Sequence, residues 1–159
     1  MSPQDVLGNL EETFASNIPL FFKQLQSTDR VQRDFHVTLI HVTDSKAHSD
    51  LWRYYEDMIS NGSKLIEVSV QMNHIVWDNK LMAVDVTIDP ERKSGFRWLS
   101  TNEVTHMTIG TANKGVKPVE SNRLLATWES KGSILGVDET RISAIAIHSS
   151  IIVGTLQAF

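Results

Sequence analysis

FHVTLIHVT, residues 35–43, is the stretch from which both the fold and the chemistry of this chain are predicted. Apolar and polar residues alternate along it, which is typical of a half-buried strand, and we predict a strand over 34–43. A strand places alternate side chains on one face, so His36 and Thr38 should lie side by side, about 7 Å apart. The same order of residues returns at His106-Met-Thr-Ile, 106 − 36 = 70 residues later. Two copies predict one site shared between two similar halves.

A third triplet of the same form, His41-Val-Thr43, directly follows the first. It continues into Asp44, whereas the other two continue into an apolar residue. Because 41 − 36 = 5 is an odd number, a regular strand would point His41 away from the face that carries His36. We therefore predict that His41 lies outside the site.

The composition is that of one soluble globular domain. Its 159 residues suffice for one well-packed core, and 41% hydrophobic and 21% charged residues are ordinary values. No run of 18 apolar residues predicts a membrane span, and the first residues lack the pattern of a signal peptide. With no cysteine, the chain has neither disulfides nor a thiolate metal site, which is compatible with a reducing compartment. The net charge of −4 argues against a large nucleic-acid-binding face, although a phosphorylated ligand needs only a few donors.

Periodicity predicts the remaining elements. Helices are expected over 3–26 with a break at Pro19, in the segment carrying Leu51 to Ile59, and after Pro118. Strands are expected over 64–77, 81–88 and 104–109, followed by two strands within 142–156 that turn near Ser149-Ser150. A strand leads into a helix twice, once after each histidine motif. We therefore predict a single α+β domain with two lobes, covering 1–159.

Two histidines that titrate near neutrality can act together as general base and general acid. Placed on opposite sides of a phosphorus atom, one would deprotonate water while the other protonates the departing oxygen. The threonine hydroxyls would donate to the non-bridging oxygens, where negative charge develops. For one motif alone, a half-exposed strand facing solvent is the simpler explanation. The repeat favours a phosphodiesterase site at His36, Thr38, His106 and Thr108 that needs no metal.

Other catalytic classes lack their sequence signatures. His36 and His106 have no third zinc ligand at a suitable spacing, and no His-Glu-x-x-His is present. The chain also contains neither the Gly-x-Ser-x-Gly of a serine hydrolase nor the Gly-x-x-x-x-Gly-Lys-Ser/Thr of a P-loop. No cofactor is expected.

Three residues are predicted to bind substrate from their position. Trp98 lies among charged residues in the loop expected over 89–102 and could stack on a base, although a role in capping the core explains it as well. Lys114 and Lys117 follow the second histidine motif and are predicted to contact the substrate from that position alone.

The paired HVTL (36–39) and HMTI (106–109) resemble the signature of the two-histidine phosphoesterase superfamily. Within that superfamily, three longer segments look like the cyclic phosphodiesterase domain of fungal tRNA ligase: FHVTLIH (35–41), HMTIGT (106–111) and VKPVESNRLL (116–125). The resemblance extends from about residue 4 to the end of the chain.

This resemblance implies a bilobal fold, in which the site lies in the cleft between two pseudo-symmetric antiparallel sheets flanked by helices. It implies hydrolysis of RNA 2′,3′-cyclic phosphate ends, such as those of tRNA exon halves, to a 3′-hydroxyl and a 2′-phosphate. His36, Thr38, His106 and Thr108 carry over as the catalytic residues, with His106 as the base and His36 as the acid. Kinase and ligase domains would belong to the same larger, intracellular protein of the cytoplasm or nucleus.

Two alternatives remain open at this point. One keeps the superfamily and changes the substrate to 2′,5′-linked RNA, U6-type RNA ends or ADP-ribose cyclic phosphate. The other is a module that binds RNA ends without turnover.

Overall fold

Four helices and four strands make up the described part of the chain, which in this computed structural model comprises residues 1–61, 66–91, 94–131 and 141–157. In chain order they are α1 (Pro3–Phe14), α2 (Leu20–Ser27), α3 (Ser49–Asn61), β1 (Glu67–Trp77), β2 (Leu81–Ile88), β3 (His106–Thr111), α4 (Ser121–Lys131) and β4 (Ser143–Thr155). Short 3₁₀ turns occupy Val42–Asp44 and Pro118–Glu120. The element types of the α+β prediction are thus present.

The strands form one antiparallel sheet in the order β3-β2-β1-β4. β1 and β2 are a hairpin, in which Trp77 pairs with Met82 across the predicted turn at Asp78-Asn79. β2 lies inside the sheet, and Leu81 to Val84 are all buried because both faces of the sheet are covered. β3 is at one edge, and it carries the second histidine motif.

Alternation along the strands divides the core between the two faces of the sheet. On one face, Met107 and Ile109 pack in a cluster with residues of α1 and α2. On the other face, Leu81 and Ala83 pack with Leu124 of α4 and its neighbours. His106 and Thr108 alternate with Met107 and Ile109, so they lie on the α4 face.

The two N-terminal helices follow their sequence signals. Pro3 occupies the first turn of α1, where its missing N–H is not needed. Val6, Leu10 and Phe14 recur every four residues and are buried. The break predicted at Pro19 is confirmed, since Pro19 directly precedes α2.

The C-terminal segment forms one strand instead of the two that were predicted. β4 pairs with β1 along its whole length, but the register changes between two pairs, Met72 with Ser150 and His74 with Ala146. β1 advances by 74 − 72 = 2 residues where β4 advances by 150 − 146 = 4. The Ser149-Ser150 signal therefore marks a bulge that absorbs extra residues, not a turn.

The strand predicted over 34–43 is wrong, because the structure has no strand there and the segment ends in the 3₁₀ turn Val42–Asp44. Within it, the Leu39 carbonyl accepts from Thr101 N–H, and just before it Gln32 N–H donates to the Ile109 carbonyl. A single bridge, between Val31 and Gly110, joins the segment to β3. The described residues accordingly form one sheet, and the second sheet of a bilobal fold stays a prediction.

Candidate active site

His106 begins β3 and is buried, with 8% of its surface exposed. Its Nδ1 lies 2.7 Å from the carbonyl oxygen of Val104. A carbonyl can only accept, so Nδ1 carries the proton and the neutral ring presents an unprotonated Nε2. The backbone thereby selects the tautomer that can take a proton from a ligand or a water at Nε2.

The surroundings of His106 disfavour its charged form. Burial is the main cause and lowers the pKa of His106 from its ordinary 6.5, because the imidazolium loses its hydration. The Val104 carbonyl opposes this shift, whereas the nearby charge of His36 lowers the pKa further. The charge of His36 thus acts on His106 across the site, and their joint role in catalysis stays a prediction.

Thr108 lies two residues along β3, on the same face as His106. Its Oγ1 is 2.8 Å from Ser121 Oγ and 3.4 Å from the carbonyl oxygen of Pro118. Ser121 is the first residue of α4 and has no exposed surface. The packing of α4 against the sheet thus fixes the Thr108 hydroxyl.

The first motif is held by a different kind of contact. The Thr38 carbonyl accepts hydrogen bonds from Ser100 Oγ at 2.9 Å and Asn102 Nδ2 at 3.5 Å, and so fastens the segment to the loop before β3. His36 is exposed and Thr38 half-buried. Both line an open cavity of about 800 Å³ that extends to Trp52 of α3. This half of the site is therefore accessible to a ligand, although neither His106 nor Thr108 lines that cavity.

Gly110 allows the chain that precedes the first motif to cross close to β3. A Cβ at this position would lie 2.5 Å from the carbonyl oxygen of Arg30, so only glycine accommodates the crossing chain. Arg30 strengthens the contact, since its Nε donates to the Thr111 carbonyl at 3.0 Å and its Nη2 to Thr111 Oγ1 at 2.7 Å. The segment that leads to His36 is thereby aligned with the edge of β3.

His41 has a local structural role. Its Nδ1 accepts from Thr43 N–H at 3.2 Å and lies 2.9 Å from Thr43 Oγ1, so it caps the 3₁₀ turn that follows. This contact accounts for the third His-x-Thr triplet without a catalytic role.

The three residues predicted to bind substrate occupy different surroundings. Trp98 is 7% exposed and stacks on Tyr55, with ring centroids 6.0 Å apart, so it packs in the core. Lys114 and Lys117 are exposed, and Lys117 Nζ lies 3.4 Å from the Lys114 carbonyl. Lys117 directly precedes Pro118, and the Pro118 carbonyl contacts Thr108. Lys117 therefore lies near the second motif.

Asp85 and His74 extend a polar row from His106 across the α4 face. Asp85 is opposite His106 on one side and His74 on the other, and His74 Nδ1 lies 3.1 and 3.3 Å from the two Asp85 oxygens. The Trp128 ring packs 4.9 Å from His74. This pair was not predicted from the sequence. The spacing could have indicated it, because His74 lies four residues before Asp78 and Asp85 lies four residues after Leu81, so the hairpin places the two opposite each other.

Within the described ranges, no group of three His, Asp or Glu side chains is arranged to hold a metal ion. No described helix is both long enough and apolar enough to cross a membrane.

Comparison with known proteins gives three findings. A model of the fungal tRNA ligase phosphodiesterase domain matches residues 1–158. tRNA ligase 1 of Schizosaccharomyces pombe is 27% identical over 125 residues, which represent 77% of this chain and 16% of that protein. A solved structure described as the crystal structure of fungal RNA kinase superposes with a TM-score of 0.67 at 20% identity, covering 98% of this chain and 42% of the other. The structural likeness concerns the fold alone, and the chain spans less than half the length of either relative.

Proposed function

The chain belongs to the family of fungal tRNA ligase phosphodiesterase domains, and on that premise we propose that it hydrolyses RNA 2′,3′-cyclic phosphate ends to a 3′-hydroxyl and a 2′-phosphate. This reaction would heal the ends of tRNA halves during splicing. The observation that carries the proposal is the buried His106, whose Nδ1 donates to the Val104 carbonyl and whose neutral ring therefore presents an unprotonated Nε2.

The proposed step needs only the four motif residues. His106 Nε2 takes a proton from water as the water oxygen forms a bond to phosphorus. The bond from phosphorus to the 3′-oxygen breaks, and His36 donates a proton to that oxygen. The hydroxyls of Thr38 and Thr108 donate to the non-bridging oxygens, which gain charge in the transition state.

The lowered pKa of His106 supports its assignment as the base. A base must be neutral before reaction, and burial together with the nearby charge of His36 keeps His106 neutral at physiological pH. His36 is the exposed member of the pair, so it can take up a proton from solvent and act as the acid. No metal ion is required in this scheme.

Substrate and partners follow from the family. The ligand is RNA with a cyclic phosphate end, and Lys114 and Lys117 are the exposed cations that would contact its backbone. In the longer intracellular protein, kinase and ligase domains would process the other RNA end and join the two. Because the chain is acidic overall, those domains would supply much of the RNA affinity.

The decisive experiment identifies the product. Purified protein is incubated with an oligonucleotide ending in a 2′,3′-cyclic phosphate, in the presence of EDTA. A 2′-phosphate product is expected, whereas loss of activity with chelator or a 3′-phosphate product contradicts the scheme. 2′,5′-Linked RNA, U6-type RNA ends and ADP-ribose cyclic phosphate serve as comparison substrates, and tight end binding without turnover would identify a binding module.

Three histidine variants test the assignment within the same assay. His36→Ala and His106→Ala should each abolish turnover, because each removes one proton-transfer group. His41→Ala is the matched control and should retain most of the activity, since the side chain of His41, although it lines the same cavity as His36, is bonded to Thr43. The opposite pattern would show that the wrong triplet had been chosen.

A further inference from the structure

We propose that Ser121 is a positioning residue that orients the Thr108 hydroxyl so that its proton points to the substrate. The 2.8 Å contact between Ser121 Oγ and Thr108 Oγ1 carries the proposal. It rests on the proposed phosphodiesterase function, in which Thr108 donates to a phosphate oxygen. Ser121 lies 13 residues from Thr108 in sequence and reaches it because the Pro118–Glu120 turn, which directly precedes α4, contacts β3.

Proton counting gives the direction of this hydrogen bond. Ser121 has no exposed surface, so its hydroxyl proton must have a partner within the protein. In the described part of the chain, Thr108 Oγ1 is the side-chain partner of Ser121 Oγ. Ser121 therefore donates and Thr108 accepts. The Thr108 proton is left for another acceptor.

The acceptor within reach of Thr108 in the protein is weak. The Pro118 carbonyl lies 3.4 Å away, near the limit for a hydrogen bond. The same carbonyl already accepts the backbone N–H of Ser121. A phosphate oxygen that carries negative charge competes easily with this contact, because hydrogen bonds to charged acceptors are about twice as strong. The Thr108 hydroxyl is thus preorganised as a donor at little cost.

Ser121→Ala removes the donor, so the Thr108 hydroxyl can turn toward other acceptors. We expect kcat for a 2′,3′-cyclic nucleotide to fall about 3- to 10-fold, the usual effect of one neutral hydrogen bond, with KM changed less than about 2-fold. Thr108→Val should cost about 100-fold or more, as for other donors to transition-state charge. In the Thr108→Val background, Ser121→Ala should change kcat less than about 2-fold, since it has no hydroxyl left to orient.

Two further variants separate orientation from packing. Ser121→Cys keeps the size of the side chain but has a weak donor, so kcat should stay close to that of Ser121→Ala. Ser150→Ala is the control, because it removes a hydroxyl that donates to Asn9 Oδ1 at 2.8 Å on another part of the sheet; its kinetics should match the wild type. Thermal melting checks that every variant is folded.

The outcomes distinguish the inference from its premise. Additive losses in the double variant, or full activity in Ser121→Cys, would overturn the role of Ser121 while the wild type remains an active phosphodiesterase. A wild type that does not turn over the cyclic phosphate would overturn the proposed function and this inference with it.

Discussion

Replacing Gly110 with alanine tests whether the crossing of the Arg30 segment over β3 positions the first histidine motif. The new Cβ would lie 2.5 Å from the Arg30 carbonyl oxygen, 3.1 Å from Leu25 Cδ1 and 3.3 Å from the Arg30 carbonyl carbon. Ordinary contact begins near 3.4 Å, so the backbone of Arg30 must withdraw by 3.4 − 2.5 = 0.9 Å. Backbone cannot rotate away as the end of a side chain can, and the displacement must pass into the segment that continues to His36.

The cost is expected in both stability and rate. Overpacking of this kind destabilises by about 1–3 kcal/mol. A displacement approaching 1 Å in a catalytic group lowers the rate by up to about 100-fold. Because the five residues between Arg30 and His36 can absorb part of the shift, we expect kcat to fall about 10- to 100-fold.

Urea unfolding and steady-state kinetics on a 2′,3′-cyclic nucleotide measure the two effects. Gly8→Ala is the matched control, because no atom lies within 4 Å of its Cβ and the position is inside α1. That variant should be stabilised by about 0.5–1 kcal/mol, since glycine is unfavourable within a helix, and its kinetics should not change. If Gly110→Ala showed wild-type stability and activity, the crossing would not position the site.

Four further predictions concern single residues. The acid limb of kcat/KM should fall below pH 6.5, because burial lowers the pKa of His106; NMR titration of its ring should give the same value, and a limb above pH 6.5 would exclude His106 as the base. The stability that neutral His106 contributes should be complete above about pH 6.5 and lost as pH falls through the lowered pKa, which urea unfolding at several pH values measures. Lys117→Ala should raise KM for RNA and leave kcat unchanged. It should also reduce the slope of log K against log salt concentration by about one, and an unaltered slope would show that Lys117 does not contact the RNA. Trp98→Ala should cost about 3–5 kcal/mol of stability with KM unchanged, and a raised KM at normal stability would restore it as a substrate contact.

Period-two alternation explains how much of the second motif the sequence could predict. In β3 it assigns His106 and Thr108 to one face and Met107 and Ile109 to the other, and the structure has this arrangement. The pattern is reliable here because β2 pairs with β3 and both faces of the sheet are covered. Residues 35–39 alternate in the same way, but Thr101 in the loop before β3 donates to the Leu39 carbonyl in place of a partner strand. A strand needs a partner, and a single segment does not specify one.

Contacts between distant segments account for the features that could not be predicted from the sequence. Ser121 is an ordinary helix-start serine until the turn before α4 contacts β3. Trp98 lies in a charged loop by sequence, yet it stacks on Tyr55 of α3. The Ser149-Ser150 signal marks a local irregularity, and only the pairing with β1 decides between a bulge and a turn. Each outcome depends on tertiary packing and not on local propensity.

The hydrogen bond from His106 Nδ1 to the Val104 carbonyl also determines how the site would reset between turnovers. In the proposed mechanism Nδ1 stays bonded to the Val104 carbonyl, so the proton that His106 would gain from water would leave again through Nε2. His36 is exposed and can recover its proton directly from solvent. The two histidines would therefore return to their starting protonation states by separate routes. The return of His106 would depend on departure of the product.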